Sequence, residues 1–297
     1  MKLTIDSKLT LNDGHLMPQL GLGVWQTRAG ASCEAAVLAA LEAGYRHIDT
    51  AAMYGNEESV GVAVRRSGIS REQIFVTTKL WNSDHGNPER ALDTSLRKLK
   101  LDYVDLYLIH YPVRQRRQSW RALEALRDKG KARSIGVSNF TIRHLNELLA
   151  ETTTVPAVNQ VEFHPYLYQQ DLLDFCVERG IVLEAYSPLT KGVRLKDPKL
   201  IAVAKKYSRA EAQPAALQSQ LPLNDKLSRR SETKSTAQIL IRWALQHGVA
   251  VIPKSADRGR IFENADVFDF EITAEDMQIL NRFNENLRTC WDPTDAP

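Results

Sequence analysis

Cysteine is scarce in this chain. Cys33, Cys176 and Cys290 stand far apart with no CxxC pair, which excludes a disulfide framework and a cysteine-built zinc site. Reduced thiols in a cytoplasmic protein are the expectation, and no metal is expected. Long apolar runs are also missing. Nothing approaches the roughly 20 residues that cross a membrane, and the opening MKLTIDSKLT lacks the apolar stretch of an export signal. No block of about five or six like charges occurs. The 39 basic and 36 acidic residues leave a net charge of +3, too weak a bias to argue for nucleic acid but compatible with an anionic small molecule. A glycine-rich GxGxxG loop is absent too. The first apolar run reads GLGVW, and the next helical pattern begins several residues later, which speaks against an open dinucleotide-binding sheet.

What the chain does contain is a regular alternation of strand-like and helix-like segments. Its 297 residues are enough for one large barrel domain spanning 1–297. KLTLNDGHLMPQL reads as a hairpin turned by Asn-Asp-Gly. Strand patterns follow at 20–25, 47–50, 74–80, 103–110, 132–138, 157–163, 182–186 and 250–254. Helical patterns lie between them. Those at 32–43 and 56–67 open on a Ser and an Asn that read as caps, 88–99 has Pro in its first turn, and 235–247 opens with a capping-box spacing. Eight βα units predict a closed (β/α)8 TIM barrel with an N-terminal β-hairpin and extra helices. One segment, 209–233, is polar, carries two prolines and has no sustained periodicity. It reads as an exposed insertion.

Parallel strands of a barrel end on one face, so residues at successive strand ends converge. Asp49, Tyr54, Lys79 and His110 stand at or just beyond the ends of RHIDT, IFVTTK and YVDLYLIH. A carboxylate, a phenol, an ammonium and an imidazole at one point form a proton-handling site of the kind carbonyl reduction needs. An unperturbed phenol, with a pKa of about 10, is a poor acid at neutral pH, so Lys79 is expected to lower the pKa of Tyr54. Asp49 would keep Lys79 charged, and His110 would orient the carbonyl oxygen. Trp25, Trp81 and Tyr111, with Trp291 near the C-terminus, are aromatics that could wall a substrate pocket. Lys254, Ser255 and Arg260, at the start of a helical pattern, suit a phosphate dianion. His164 reads as structural.

The motifs GYRHIDTAAMYGNE (44–57), TTKLW (77–81), LYLIHYP (106–112), GVSNF (136–140), VNQVEFHPY (158–166) and IPKS (252–255) occur in this order over nearly the whole chain. In this the chain resembles the aldo-keto reductases, NAD(P)H-dependent barrel enzymes, and looks most like bacterial or fungal members that reduce aldehydes, methylglyoxal or diketo-gluconates. The resemblance implies a catalytic tetrad of Asp49, Tyr54, Lys79 and His110, with Tyr54 as proton donor. It implies that Ser138, Asn139 and Gln160 hold a nicotinamide carboxamide, that Tyr186 stacks on the ring, and that Ser187 to Leu189 skirt the pyrophosphate. It further implies that Lys254, Ser255 and Arg260 bind the 2′-phosphate of NADPH and that Glu263 and Asn264 contact adenine. NADPH is therefore expected over NADH. Trp25 and Trp81 match substrate-pocket positions, Tyr111 stands where the family frequently has a tryptophan, His110 also faces the substrate, and Trp291 is assigned there from its place in the C-terminal segment. Two other functions remain open at this point: a Schiff-base aldolase using Lys79, and a nucleotide-sensing subunit without turnover. A monomer acting on a small carbonyl compound, with no nucleic-acid or membrane partner, is the expected form.

Overall fold

In the computed structural model, residues 2–207 and 233–297 are described. The insertion expected over 209–233 lies outside them except for Thr233. A two-stranded antiparallel hairpin, β1 (Lys8–Thr10) and β2 (Leu16–Pro18), comes first. Gly14 takes φ +88° in its turn, a backbone that side-chain-bearing residues resist. Then follow β3 (Leu22–Gly23), β4 (His47–Asp49), β5 (Phe75–Leu80), β6 (Val104–Ile109), β7 (Ala132–Ser138), β8 (Val158–Glu162), β9 (Val182–Tyr186) and β10 (Ala250–Val251). These eight strands pair in chain order and are parallel throughout.

The ends of the sheet meet. Leu20 bridges Val251 and Gly23 bridges Lys254, both in parallel register. Gly21 N donates to Val251 O at 2.8 Å, and Val251 N donates to Gln19 O at 2.8 Å. The sheet is thus curled shut into the expected (β/α)8 barrel.

The α-helices among the described residues are α1 (Ala31–Glu42), α2 (Glu57–Arg66), α3 (Pro88–Leu99), α4 (Arg116–Asp128), α5 (Ile142–Leu149), α6 (Gln170–Glu178), α7 (Pro198–Ala204), α8 (Thr236–Gln246), α9 (Arg258–Ala265) and α10 (Ala274–Asn281). Local chemistry sets several of their starts. Asn87 accepts from Arg90 N ahead of Pro88, and Ser235 with Gln238 forms the expected capping box. One expected cap is displaced and another lacks its bond. Helix α1 begins after Gly30, so Ser32 lies inside it, while Asn56 stands at the N-cap position of α2 as expected but its side chain accepts no helix N–H. Asn56 is buried and tied instead to the loop after β3. Its Nδ2 donates to Val24 O and Thr27 O, and its Oδ1 accepts from Thr50 Oγ1.

Alternation along each strand sorts side chains between two cores. The larger one lies between sheet and helices. A smaller one, Leu11, Met17, Phe75, Leu106, Leu108, Ala157, Val158 and Ala250, combines hairpin residues with strand residues. The hairpin thereby plugs the barrel end where the strands begin. Stepping by two from these inward apolar residues gives Thr77 and Lys79 on β5, His110 after β6, and Gln160 and Glu162 on β8. The barrel interior thus passes from apolar at the plugged end to ionisable at the other. Among the described residues no helix is long and apolar enough to cross a membrane.

Candidate active site

Lys79 is fully buried and is the hub of the mouth. Its Nζ donates to both Asp49 oxygens at 2.8 and 2.7 Å, to the Thr50 carbonyl at 2.9 Å and to Tyr54 Oη at 3.2 Å. Tyr54 closes a 3-10 turn, Ala52–Tyr54, that Gly55 ends at φ +69°. That turn brings the phenol back over the end of β4, and the Lys79 ammonium lies 4.8 Å from the phenol ring centre. His110 packs edge-on against Tyr54 at 5.7 Å and against Trp81 at 5.3 Å. The four residues expected to converge do so.

Their electrostatics differ from expectation at one point. Burial pushes the Tyr54 phenol well above its ordinary range, and the Asp49 charge pushes the same way. Lys79 was expected to draw it down. The carboxylate held bidentately by the ammonium cancels most of its field, so burial prevails. Tyr54 therefore rests as a protonated phenol. Burial and the Lys79 charge hold His110 well below the usual imidazole range, so it is neutral. Its Nδ1 has no partner among the described residues.

Next to the tetrad lies a second polar set. Ser138 Oγ donates to Gln160 O at 2.8 Å. Asn139 Nδ2 donates to His110 O at 2.9 Å, and Tyr186 Oη donates to Asn139 Oδ1 at 2.7 Å. Asn139 sits at φ +63° and Ser187 at φ +47°, conformations that strand-to-loop turns impose here on residues with side chains. Gln160 Nε2 donates to Asp49 Oδ2 at 3.0 Å and to Glu184 Oε2 at 2.8 Å. Both amide hydrogens are thus spent on carboxylates, and among the described residues nothing donates to its Oε1. An unmet amide acceptor beside the tetrad suits the NH2 of a carboxamide.

Three buried residues here were not singled out from sequence: His47, Glu184 and Glu162. His47 lies two residues before Asp49, Glu184 two before Tyr186, and Glu162 two after Gln160. Period-two counting along strands with known inward residues would have found all three. His47 lies 3.6 Å from Glu184 and shares a hydrogen bond of 3.1 Å with Thr77. Gly21 makes room for its ring, since a Cβ there would come within 2.6 Å of Nδ1. Burial, helped by Lys79, lowers His47 to about 3; burial, helped by Asp49, raises Glu184 to about 8. His164, expected to be structural, is buried against Glu162 at 3.1 Å.

Aromatic groups border the tetrad. Tyr111 stacks on His110 at 4.8 Å and 8°, Trp81 meets Tyr111 edge-on at 5.8 Å, and Trp291 meets it at 4.9 Å. Trp25 stands apart from this stack, under the Lys191 ammonium at 4.8 Å. A cavity of about 550 Å³ opens beside Trp81, lined also by Ala52, Met53 and residues of α3.

The expected phosphate cluster follows β10. Ser255 is buried, while Lys254 and Arg260 are exposed and form no ion pair among the described residues. Asp257, however, caps α9, its Oδ1 accepting from Arg260 N at 2.9 Å. A carboxylate therefore already occupies part of the positive helix end. Glu263 and Asn264 lie on the last turns of α9, with Asn264 buried. Leu189 is half-buried, in a turn where Thr190 and Lys191 also take positive φ.

Comparison with known proteins follows the same lines. Residues 19–285 match the profile described as the Aldo/keto reductase family. A glyoxal reductase of Bacillus subtilis is 44% identical over 99% of this chain and 98% of its own length. A methylglyoxal reductase of Yersinia pestis is 44% identical over 98% of each. Among solved structures, a Bombyx mori aldo-keto reductase in complex with NADP superposes with a TM-score of 0.84 at 36% identity, covering 99% of both chains.

Proposed function

The chain belongs to the aldo/keto reductase family of oxidoreductases, and from that premise we propose that it reduces small aldehydes and ketones to alcohols with NADPH, taking the proton from Tyr54. One observation carries this reading: a buried ammonium that touches a phenol and neutralises a carboxylate in the same hand. Bound NADPH supplies the hydride. Tyr54, protonated at rest, gives its proton to the carbonyl oxygen as negative charge gathers there. Lys79 lies close enough to stabilise the phenolate left behind, and Asp49 holds the Lys79 ammonium by two hydrogen bonds. His110, neutral, donates a hydrogen bond to the same oxygen and fixes its direction. Gln160 Oε1 would accept from the carboxamide, and Asn139, with Ser138, would hold its other side. Tyr186, now bonded to Asn139, would exchange that contact for the ring. Ser187 and Leu189 would flank the pyrophosphate. Lys254, Ser255 and Arg260 would hold the 2′-phosphate, with Glu263 and Asn264 at the adenine. Trp81, Tyr111 and Trp291 would wall the substrate, and Trp25 the outer mouth. Glyoxal and methylglyoxal, named in the relatives, are the first substrates to try. The reading includes a monomer and one domain over 1–297.

Two alternatives are weaker. A Schiff-base aldolase needs a free amine at Lys79, yet four oxygen atoms accept from or contact that nitrogen. A sensor without turnover would not need the tetrad. The test is NADPH oxidation over a panel of aldehydes and dicarbonyls, with NADH in parallel. The expected result is turnover with kcat/KM for NADPH at least about tenfold above NADH, the scale of one charged contact. Equal values would refute the preference. Tight NADPH binding without oxidation would refute the enzyme, and borohydride trapping of substrate on Lys79 would favour the aldolase.

A further inference from the structure

Glu162 ends β8 and is 1% exposed, yet the chemistry above does not use it. Its carboxylate is surrounded by donors. Oε1 accepts from His164 Nε2 at 3.1 Å, from Thr289 N at 2.8 Å and from Thr289 Oγ1. Oε2 accepts from Cys290 N at 3.1 Å. Burial alone would raise its pKa, but the hydrogen bonds from His164 and Thr289 hold it below the ordinary carboxylate range. Glu162 is therefore a charged anchor, and three of its four donors belong to the C-terminal segment.

The residue immediately after those donors is Trp291, whose ring meets Tyr111 at 4.9 Å. Tyr111 in turn stacks on His110. Lys191 Nζ also donates to Thr289 O at 2.6 Å, and Ser187 Oγ lies 3.4 Å from Cys290 Sγ. Beyond Trp291, Asp292 pairs with Arg288 at 3.0 Å, Arg143 reaches Thr294 O, His144 Nε2 and Ala296 O are 3.1 Å apart, and Arg116 reaches Pro297 O. Trp291 itself is 46% exposed. On the side that leads into it, its placement over the mouth depends on where residues 289 and 290 are pinned, and Glu162 supplies three of those contacts.

We propose that Glu162 is a specificity-determining positioning residue: by clamping Thr289 and Cys290 it sets Trp291 against Tyr111 and so fixes how large a carbonyl compound the mouth accepts. This rests on the carbonyl-reductase reading. A small dicarbonyl such as methylglyoxal sits at His110 and Tyr54 without needing Trp291, whereas an aryl aldehyde extends to it. Replacing the carboxylate by an amide turns one acceptor into a donor that faces other donors, at the cost of a charge-assisted contact.

The test compares KM for 4-nitrobenzaldehyde and for methylglyoxal in Glu162→Gln, Thr289→Val, Trp291→Ala and the Glu162→Gln/Trp291→Ala double variant, with NADPH affinity measured by fluorescence. The expected change in Glu162→Gln is about tenfold in KM for the aryl aldehyde. Its methylglyoxal KM, kcat and NADPH affinity stay within about twofold, the range of a surface-like effect. Thr289→Val, which keeps the anchor and removes one donor, moves the same way by less and serves if Glu162→Gln does not fold. In the Trp291→Ala background, Glu162→Gln has no further effect on the aryl substrate. Equal loss on both substrates in Glu162→Gln or Thr289→Val, or additive loss in the double variant, would overturn the proposal. Failure of the unaltered protein to oxidise NADPH with either compound would instead overturn the reading beneath it.

Discussion

Replacing Lys79 by Met separates the electrostatics of the site from its chemistry. The substitution keeps the length of an unbranched side chain and removes the ammonium. Two charge-assisted hydrogen bonds to Asp49, one to the Thr50 carbonyl and one to Tyr54 Oη disappear. Asp49, 2% exposed, keeps Gln160 as its one remaining donor among the described residues. Breaking a buried pair from one side costs about 3–5 kcal/mol, because a charge is left without a counterion. Burial already raises the pKa of Asp49 against the pull of Lys79. Without that pull burial raises it further, and uptake of a proton would limit the loss to the lower end of that range. A second substitution, Asp49→Asn, then removes the stranded acid while leaving an oxygen for Gln160. The double variant is expected to recover most of the lost stability, since a buried pair replaced on both sides is often near neutral. Activity is not expected to recover in either variant, with a loss of about 100- to 10,000-fold, the range for a positioned acid and its support. Urea unfolding followed by tryptophan fluorescence gives the first quantity and NADPH absorbance the second. If the double variant is as unstable as Lys79→Met alone, the ion-pair account is wrong. If Lys79→Met keeps more than about a tenth of its turnover, the ammonium does not support the acid.

Tyr54→Phe should remove most reduction, by about 100-fold or more, while NADPH affinity by fluorescence titration changes little; a loss of cofactor affinity in place of turnover would contradict the proton-donor role. Glu184 gives a pH signature. Its carboxyl is raised to about 8, so between the ordinary range and that value the folded protein holds a proton the unfolded chain has lost. Stability from this group is present in acid and is lost as the pH rises toward about 8. Glu184→Gln should therefore flatten the decline, so that its stability gains on the parent protein as pH rises and shows no such trend below the ordinary carboxylate range. Parallel unfolding curves at every pH would show that Glu184 is ionised throughout.

Legibility in the sequence varied with the range of the interaction involved. The capping box at Ser235 and Gln238 was readable because both partners lie within one turn. Asn56 stands at the N-cap of α2, but its side chain is claimed by Val24 O and Thr27 O, about thirty residues away, and local spacing does not reveal such a competitor. Ser32 falls inside α1 because the chain enters the helix through Gly30, at φ +84°. Glu162 and Glu184 were visible as polar residues at inward positions, but their partners belong to other strands and to the C-terminal segment. The raised phenol of Tyr54 reverses an expectation drawn from charge alone, since burial is a property of the closed barrel.

The order of strand and helix patterns, and the presence of an acid, a phenol, an amine and an imidazole at strand ends, are settled by the one-dimensional chain, because alternation and capping act over a few residues. Closure of the sheet through Leu20, Gly23, Val251 and Lys254 is decided only in three dimensions. So are the sharing of Gln160 between two carboxylates and the clamp of Glu162 on residues 289 and 290. Each joins groups more than a hundred residues apart or lying on separate strands, and their protonation follows from how deeply folding removes them from water.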